Sequence, residues 1–338
     1  MSFSKILGQN KALNFLQILL KSERIPPALI FNGPEGVGKF LTAKEFAKAL
    51  NCIKSGKEDE SLFADEQKKP QTEKELTKPC DSCISCEQIE KRAHPDVRIV
   101  DSVFQGLLLQ DEINKQKNIK IESIREITKY VYARPMLSAR KIFIVQDAGN
   151  LTMESQNAML KILEEPPADT IFILICACKN LLLPTILSRC HVIEFKPLPA
   201  SIVTDILSVN SIPLNEAIMY GEISDGSVKK ALDIKNLMEK ISGFDPMDPA
   251  YAFKISAGLP KELYLAREEA GTFLDILIAR SHARWKINSS NNHKNLLTKL
   301  MTFKKYLKQN VSPGLILESA LIEASETGIS IGVGDKNV

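Results

Sequence analysis

A phosphate-binding loop with an altered metal-ligating end lies near the start of the chain. Residues 33–40 read Gly-Pro-Glu-Gly-Val-Gly-Lys-Phe, and in working loops of this type a serine or threonine follows the lysine. Backbone N–H groups and the lysine hold phosphates, while that hydroxyl ligates Mg²⁺. Phe40 has no oxygen to offer a metal. A degenerate phosphate loop that binds ATP or ADP only weakly is therefore expected at Gly33, Gly36, Gly38 and Lys39.

The flanking sequence favours a true phosphate loop over a chance match. Ala28–Phe31 is a short apolar run typical of a buried strand. After Lys39, one helical face carries Ala43, Phe46, Ala47 and Leu50. A strand, a glycine-rich turn and a helix N-terminus together form an anion site from free N–H groups and the helix dipole.

Three cysteines at close spacing predict a metal site. Cys80, Cys83 and Cys86 form a C-x-x-C-x-x-C pattern, in which each gap lets two sulfurs bind one tetrahedral ion. Cys52, at the end of the helix after the phosphate loop, is the natural fourth ligand, and the polar insertion 53–79 lengthens the intervening loop. Four thiolates would form a closed structural zinc site.

The cysteine pattern has three competing interpretations. A redox pair needs only one C-x-x-C, so the third cysteine argues against it. An iron–sulfur cluster also takes four cysteines and stays open at this point. Free buried cysteines fit poorly with a mostly polar segment. Cys176 and Cys178 lie in an apolar run and are expected in the core, and Cys190 is expected to pack beside the strand Val192–Phe195.

Composition predicts a globular protein of two or three domains. The chain has 338 residues, 44% of them hydrophobic and 25% charged, with a net charge of +3 that does not indicate nucleic-acid binding. No apolar run is long enough to span a membrane, and the start of the sequence lacks a signal-peptide pattern. Seven cysteines, an odd number, do not suggest a secreted disulfide framework. A cytoplasmic location is expected.

Alternating strand and helix patterns predict an α/β fold with a mostly parallel sheet covered on both faces. Helical faces include Ile121, Ile124, Ile127 and Val131, and a second helix capped by Thr152 with Met159, Ile162 and Leu163 inward. The strand candidates are Ala28–Phe31, Val97–Val100, Ile142–Val145, Thr170–Ala177 and Val192–Phe195.

Beyond Pro197 and Pro199 only helical patterns follow, with Phe273, Leu274, Ile276, Leu277 and Ala279 as expected core. A turn-rich stretch at 243–249 marks a second boundary. The predicted domains are 1–199, which contains the cysteine module at 52–86, then 200–245 and 246–338.

Several further motifs combine with the phosphate loop and the cysteines. Together they are Gly8-Gln9, Gly33–Lys39, Cys80–Cys86, Ala133-Arg134-Pro135, Lys141–Ala148, Asn157–Pro167 and Leu183–Cys190. This combination resembles bacterial clamp-loader subunits of the AAA+ class. The resemblance covers about the first 235 residues and implies an AAA+ P-loop sheet domain with a zinc module, a small helical lid and an all-α C-terminal collar.

The resemblance also shows where this chain departs from the ATPase members. Gln146 stands at the acid that positions Mg²⁺, and Asp147 stands at the glutamate that activates water. Cys176-Ala177 replaces a polar sensor of the γ-phosphate, and Lys229 replaces a sensor arginine. Phe40, Gln146, Cys176-Ala177 and Lys229 are four altered catalytic positions, so ATP hydrolysis by this chain is not expected.

The motif Ser188-Arg189-Cys190 is intact. The resemblance implies that Arg189 acts in trans as an arginine finger in a neighbour's ATP site, within a hetero-oligomeric ring that loads a sliding clamp at primer–template DNA. One rival is an active ATPase subunit of the same family. A second is a zinc-containing nucleic-acid-binding protein, permitted by a basic stretch that contains Arg280, Arg284, Lys286, Lys294, Lys299, Lys304 and Lys305.

Overall fold

The computed structural model describes residues 6–22, 24–53, 79–110, 118–242, 244–245, 248, 250–287, 290–309 and 311–329. The chain divides into two compact units, Met1–Leu198 and Pro199–Val338. Nearly all of the insertion predicted at 53–79 lies outside the described residues.

The first unit is an α/β domain with a five-stranded parallel sheet, which confirms the sheet domain of the predicted fold. Its strands are β1 (Ala28–Asn32), β2 (Val97–Val100), β3 (Lys141–Val145), β4 (Thr170–Cys176) and β5 (His191–Glu194). They lie side by side in the order β2-β3-β4-β1-β5. Its helices are α1 (Asn10–Ser22), α2 (Lys39–Asn51), α3 (Ile84–Glu90), α4 (Ser102–Leu109), α5 (Ile121–Val131), α6 (Met153–Glu164) and α7 (Pro184–Leu187).

The core of this unit forms because the central strands are apolar along their whole length. Every residue of β3 and β4 is buried, as expected when helices cover both faces of a parallel sheet. Helix α5 buries Ile124, Ile127 and Val131 against this core. Helix α6 begins where predicted, because the Thr152 side chain accepts a hydrogen bond from the Ser155 N–H at 3.2 Å.

The structure corrects one prediction about the cysteines. Cys176 is buried in the core as expected, but Cys178 is exposed because β4 ends at Cys176. Cys190 is partly buried and packs against the sheet core, in agreement with its expected packing role.

All helices and strands that the structure describes in the second unit are α-helices. This unit buries Phe273, Leu274, Ile276 and Leu277 as predicted, whereas Ala279 is only partly buried. The further division into a lid and a collar near residue 245 stays a prediction. In the described parts of the chain, no helix combines the length and apolar character needed to cross a membrane. The helices are α8 (Ala200–Val209), α9 (Leu214–Ile223), α10 (Val228–Ile241), α11 (Tyr251–Ala257), α12 (Leu263–Ile287), α13 (Asn291–Tyr306) and α14 (Pro313–Glu326).

Candidate functional site

The phosphate loop connects β1 to α2 at the carboxyl edge of the sheet, where open α/β sheets bind ligands. Gly33 has φ 149°, and a Cβ there would lie 2.1 Å from the Phe195 carbonyl oxygen. Gly38 has φ 94° and leads directly into α2. Only glycine fits Gly33, and Gly38 also has a conformation that favours glycine. The glycines therefore keep the loop in the shape that the sequence predicted.

The lysine of the loop is bonded to the loop itself. The Lys39 Nζ donates to the carbonyl oxygens of Gly33 and Pro34, and the side chain is buried. Burial lowers the pKa of Lys39, which nearby Cys176, Glu35 and Asp147 partly oppose. A phosphate group entering the loop would have to replace these two lysine hydrogen bonds.

The residue at the missing metal ligand has a packing role. The Phe40 ring lies under the Arg92 guanidinium, whose central carbon is 5.0 Å from the ring centroid. Arg92 Nη1 also pairs with Asp101 Oδ2 at 2.8 Å. Asp101 in turn caps α4, because its Oδ1 accepts from the Phe104 N–H at 2.9 Å. Phe40 thus links α2 to the start of α4 through an aromatic ring that cannot ligate a metal.

Two side chains at the strand ends around the loop are poor ligands for a divalent cation. Gln146 follows β3, and its Oε1 is buried without a hydrogen-bond partner among the described residues. Burial raises the pKa of Cys176 to about 11, so this residue is a neutral thiol near pH 7. A neutral amide and a neutral thiol are poor ligands for Mg²⁺, which prefers carboxylate and phosphate oxygens.

Gln9 has a positional role that the sequence did not show. Its Nε2 donates to the Lys196 carbonyl oxygen at 2.7 Å and to the Val37 carbonyl oxygen at 3.3 Å. Its Oε1 accepts from the Lys196 N–H at 3.1 Å. The side chain therefore bridges the phosphate loop and the segment after β5. The motif Gly8-Gln9 was singled out by resemblance alone, which gave Gln9 no role.

The four cysteines predicted as metal ligands come together. The Sγ atoms of Cys52, Cys80, Cys83 and Cys86 all lie within 4.8 Å of one another. A tetrahedral zinc ion with Zn–S bonds of about 2.3 Å needs sulfurs about 3.8 Å apart, so the arrangement fits one zinc ion. A multi-iron cluster would place several atoms between the thiolates and spread them further. The geometry therefore favours a single ion.

Hydrogen bonds to sulfur prepare the cluster for a cation. Backbone N–H groups donate from Cys80 to Cys52 Sγ at 3.4 Å, from Cys83 to Cys80 Sγ at 3.2 Å and from Cys86 to Cys83 Sγ at 3.4 Å. Burial opposes ionisation of Cys80, but hydrogen bonds led by those from Ser82 lower its pKa to about 6. Zinc binds the thiolate form, so the lowered pKa of Cys80 favours zinc binding at this residue.

A buried lysine ties the cysteine module to α2, and sequence reasoning missed it. The Lys48 side chain is 2% exposed and contacts Glu45 and Asp81 at 2.9 Å and Glu90 at 2.6 Å. Burial alone would lower the pKa of Lys48, but hydrogen bonds to these carboxylates raise it above its usual range. A lysine on an amphipathic helix normally lies in water. The burial of Lys48 could therefore have been predicted only from acidic partners that are distant in sequence.

Arg189 lies in the turn between α7 and β5, with a side chain that is 33% exposed. Its Nη2 pairs with Glu164 Oε1 at 2.7 Å. Its Nη1 donates to the Thr185 carbonyl oxygen at 2.8 Å and to Ser188 Oγ at 3.1 Å. The guanidinium is therefore at the surface but bonded to its own chain.

Most residues of the predicted basic stretch lie beside acidic residues in the second unit. A groove of about 1330 Å³ in the second unit is lined by Arg280, Arg284, Lys286, Lys304 and Lys305, together with Glu216, Glu222, Asp225 and Asp275. Lys304 pairs with Asp275, and Lys299 pairs with Glu323 at 2.7 Å. Acidic neighbours thus neutralise part of the stretch, which weakens the case for a nucleic-acid surface.

A parallel sheet with a glycine-rich loop between its first strand and the following helix defines a P-loop α/β protein. The chain belongs to the family described as DNA polymerase III, delta subunit, which it matches over residues 8–199. It is 26% identical over 325 residues to DNA polymerase III subunit tau of Bacillus subtilis, covering 94% of this chain and 48% of that protein. It is 27% identical over 226 residues to DNA polymerase III subunit delta′ of the same organism, covering 67% of this chain and 59% of that protein.

The chain thus spans about half the length of the curated relatives it matches. Among solved structures, a DNA polymerase III gamma subunit-related protein from Thermotoga maritima has a TM-score of 0.53 and 17% identity. That alignment covers 93% of this chain and 98% of the other, and it supports the fold alone.

Proposed function

We propose that this chain is a delta-prime-type clamp-loader subunit of the replicative DNA polymerase III holoenzyme. It would not hydrolyse ATP itself. The observation that carries this proposal is the use of Phe40, whose ring packs under Arg92 at the position of the missing Mg²⁺ ligand. At two further positions of the same site, the neutral amide of Gln146 and the neutral thiol of Cys176 offer no charged group for metal binding or catalysis.

The proposed architecture follows the resemblance to AAA+ clamp loaders. The sheet domain, 1–199, would hold the ring geometry, with a lid at 200–245 and a collar at 246–338 that joins the other subunits. ATP or ADP would bind at most weakly, since Lys39 is already bonded to the loop carbonyls. Through the complex, the chain would help open the sliding clamp at primer–template DNA in the cytoplasm.

Arg189 would be the catalytic contribution of this chain to its neighbour. A guanidinium placed at a γ-phosphate neutralises charge that develops in the transition state and is typically worth ~10³–10⁵ in rate. Arg189 is surface-accessible, whereas its own phosphate loop lacks the metal ligands that hydrolysis needs. The arginine would therefore serve a site on another subunit.

The cysteine cluster would bind one structural zinc ion through Cys52, Cys80, Cys83 and Cys86. Four thiolates leave no open coordination position, so the ion would contribute folding energy rather than chemistry. Lys48 would couple that stability to α2, which follows the phosphate loop.

The test is Arg189→Ala in the loader reassembled from this chain, its partner subunits, the clamp and primed DNA. The mutant complex should form normally but hydrolyse ATP at least tenfold more slowly. Arg189→Lys should restore little of that rate, because lysine keeps the charge but not the planar fork. A mutant complex of normal size with the wild-type ATPase rate would show that Arg189 is not a finger.

An active ATPase of the tau type is the second candidate. It is favoured by the match to tau over 94% of this chain, against 67% for delta′. The purified chain alone discriminates between the two. The proposal predicts background ATP hydrolysis that Lys39→Ala does not change, whereas an active subunit would lose its rate with that substitution.

A further inference from the structure

The contacts of Arg189 occupy both terminal nitrogens of its guanidinium. Nη2 is taken by the Glu164 carboxylate and Nη1 by the Thr185 carbonyl oxygen and the Ser188 hydroxyl. All three partners belong to the same chain as Arg189. These contacts use both hydrogens of Nη1 and one of Nη2, so a phosphate of another subunit that binds the two terminal nitrogens competes with them.

Glu164 occupies an unfavourable place for a carboxylate. It is the last residue of α6, where the exposed carbonyl groups give the helix end a partial negative charge. Acidic side chains are disfavoured there, and the basic residue of this last turn is Lys161. Arg189 is 25 positions further along the chain and is the cation that pairs with Glu164. The pair therefore compensates for a carboxylate that the helix itself does not favour.

A carboxylate beside the finger conflicts with the chemistry of the finger. The Glu164 oxygen, 2.7 Å from Nη2, cancels much of the charge that a γ-phosphate would need from Arg189. If the pair stayed intact on approach, the Glu164 carboxylate and the γ-phosphate would come close together, and these two negative groups would repel each other. The Glu164 carboxylate and a γ-phosphate of a neighbour thus compete for the Arg189 guanidinium.

We propose that Glu164 is a positioning residue that holds Arg189 in a resting arrangement until nucleotide in the neighbouring subunit draws the guanidinium away. This inference rests on the proposed finger role of Arg189. Glu164 is 48% exposed, and ion pairs of such exposure shift an equilibrium by about fivefold at most. The hold is weak enough for bound nucleotide to overcome, and it sets how often the finger is engaged.

Glu164→Gln tests the proposal, because it keeps the side-chain shape and removes the charge. In the assembled loader with clamp and primed DNA, this variant should hydrolyse ATP about two- to fivefold faster than wild type. The matched control is Glu165→Gln, an exposed neighbour at the same helix end, which should leave the rate unchanged. The gain should also vanish in the Arg189→Ala background, where a merely structural effect of Glu164→Gln would persist.

The outcomes separate the two proposals. If Arg189→Ala slows the loader but Glu164→Gln leaves the rate unchanged, the finger stands and the holding role of Glu164 is wrong. If Glu164→Gln slows the loader only when Arg189 is present, Glu164 orients the finger for catalysis instead of holding it back. If Arg189→Ala has no effect, both the finger role and the role of Glu164 are overturned.

Discussion

The Phe40 ring and the Arg92 guanidinium are stacked 5.0 Å apart, between the helix that follows the phosphate loop and the segment that leads to β2. A hydroxyl at residue 40 would be too short to make this contact. The position can therefore support either metal binding or this packing. In this chain residue 40 makes the packing contact. Arg92 also pairs with Asp101, which caps α4.

Phe40→Ser should cost stability without creating an ATPase. The loss of the cation–π contact and of part of the ring burial should lower the free energy of unfolding by roughly 1–2 kcal/mol. Urea unfolding measures this, with Phe40→Leu as the control that keeps apolar packing and should lose about half as much. Hydrolysis should stay at background because Gln146 and Cys176 are unchanged. Rapid ATP hydrolysis by Phe40→Ser would contradict this prediction, because it would show that Phe40 alone prevents hydrolysis in the wild-type chain.

One zinc ion per chain should be found by metal analysis, and Cys83→Ser should abolish it. The remaining three thiolates bind zinc far less tightly, so the module should unfold at lower temperature. Cys178→Ser is the matched control, because Cys178 is an exposed cysteine outside the cluster. Chelation of the wild-type protein should reproduce the Cys83→Ser melting curve. Iron in place of zinc, or full zinc content in Cys83→Ser, would refute the assignment.

Lys48→Met should destabilise the protein by roughly 2–3 kcal/mol. Removing one partner of a buried ion pair usually costs about 3–5 kcal/mol, and the partial exposure of Asp81 and Glu90 reduces that cost. Lys129→Met, at an exposed pair with Glu126, should be close to neutral. Equal losses for the two variants in denaturant unfolding would show that the Lys48 network is no stronger than a surface pair.

Stability should fall on mild acidification because of His94. This residue is buried, and its Nδ1 accepts from the Asp96 N–H at 3.0 Å, which requires an unprotonated nitrogen. Burial lowers the pKa of His94 in the folded state, while in the unfolded chain it titrates near about 6.5. The unfolded state therefore binds the extra proton first, and stability is lost as pH drops below about 6.5.

Urea unfolding between pH 8 and pH 5 measures this dependence. His94→Gln should be less stable at pH 8 but flatter with pH, whereas the exposed His282→Gln should follow wild type. Asp96 titrates in a lower window: its carboxylate accepts from the N–H groups of Met136, Leu137 and Ser138, and these bonds hold its pKa below its usual range. A wild-type slope that persists in His94→Gln would assign the effect to another group.

The sequence predicted the elements well because their determinants are local. All five strands lie within one residue of the predicted ends, since apolar runs between turn residues define buried parallel strands. The Thr152 cap and the cluster of Cys80, Cys83 and Cys86 followed from spacing within short segments, and Cys52 followed from its place at the end of the helix after the phosphate loop. Cys178 was misplaced because the apolar run continues past the last paired residue of β4.

The contacts that define the site could not be predicted in the same way. Phe40 and Arg92 are 52 positions apart, and Gln9 and Lys196 are 187 apart. Each pair forms only after the sheet has placed its members side by side. Lys48 and Glu164 likewise lie in segments whose sequence is typical of a helix surface. Their ion-pair partners can be identified only from the structure.

The closeness of Gly33 to the Phe195 carbonyl means that a glycine there is demanded by the neighbouring strand whether or not a nucleotide is ever present. Substituting alanine should disturb the sheet edge even in a protein that never meets ATP. In a phosphate-loop motif, a glycine can therefore be required by the close approach of two backbone segments, here Gly33 and Phe195, rather than by phosphate binding. Sequence searches that equate these glycines with ATP binding will count architectural loops together with working ones.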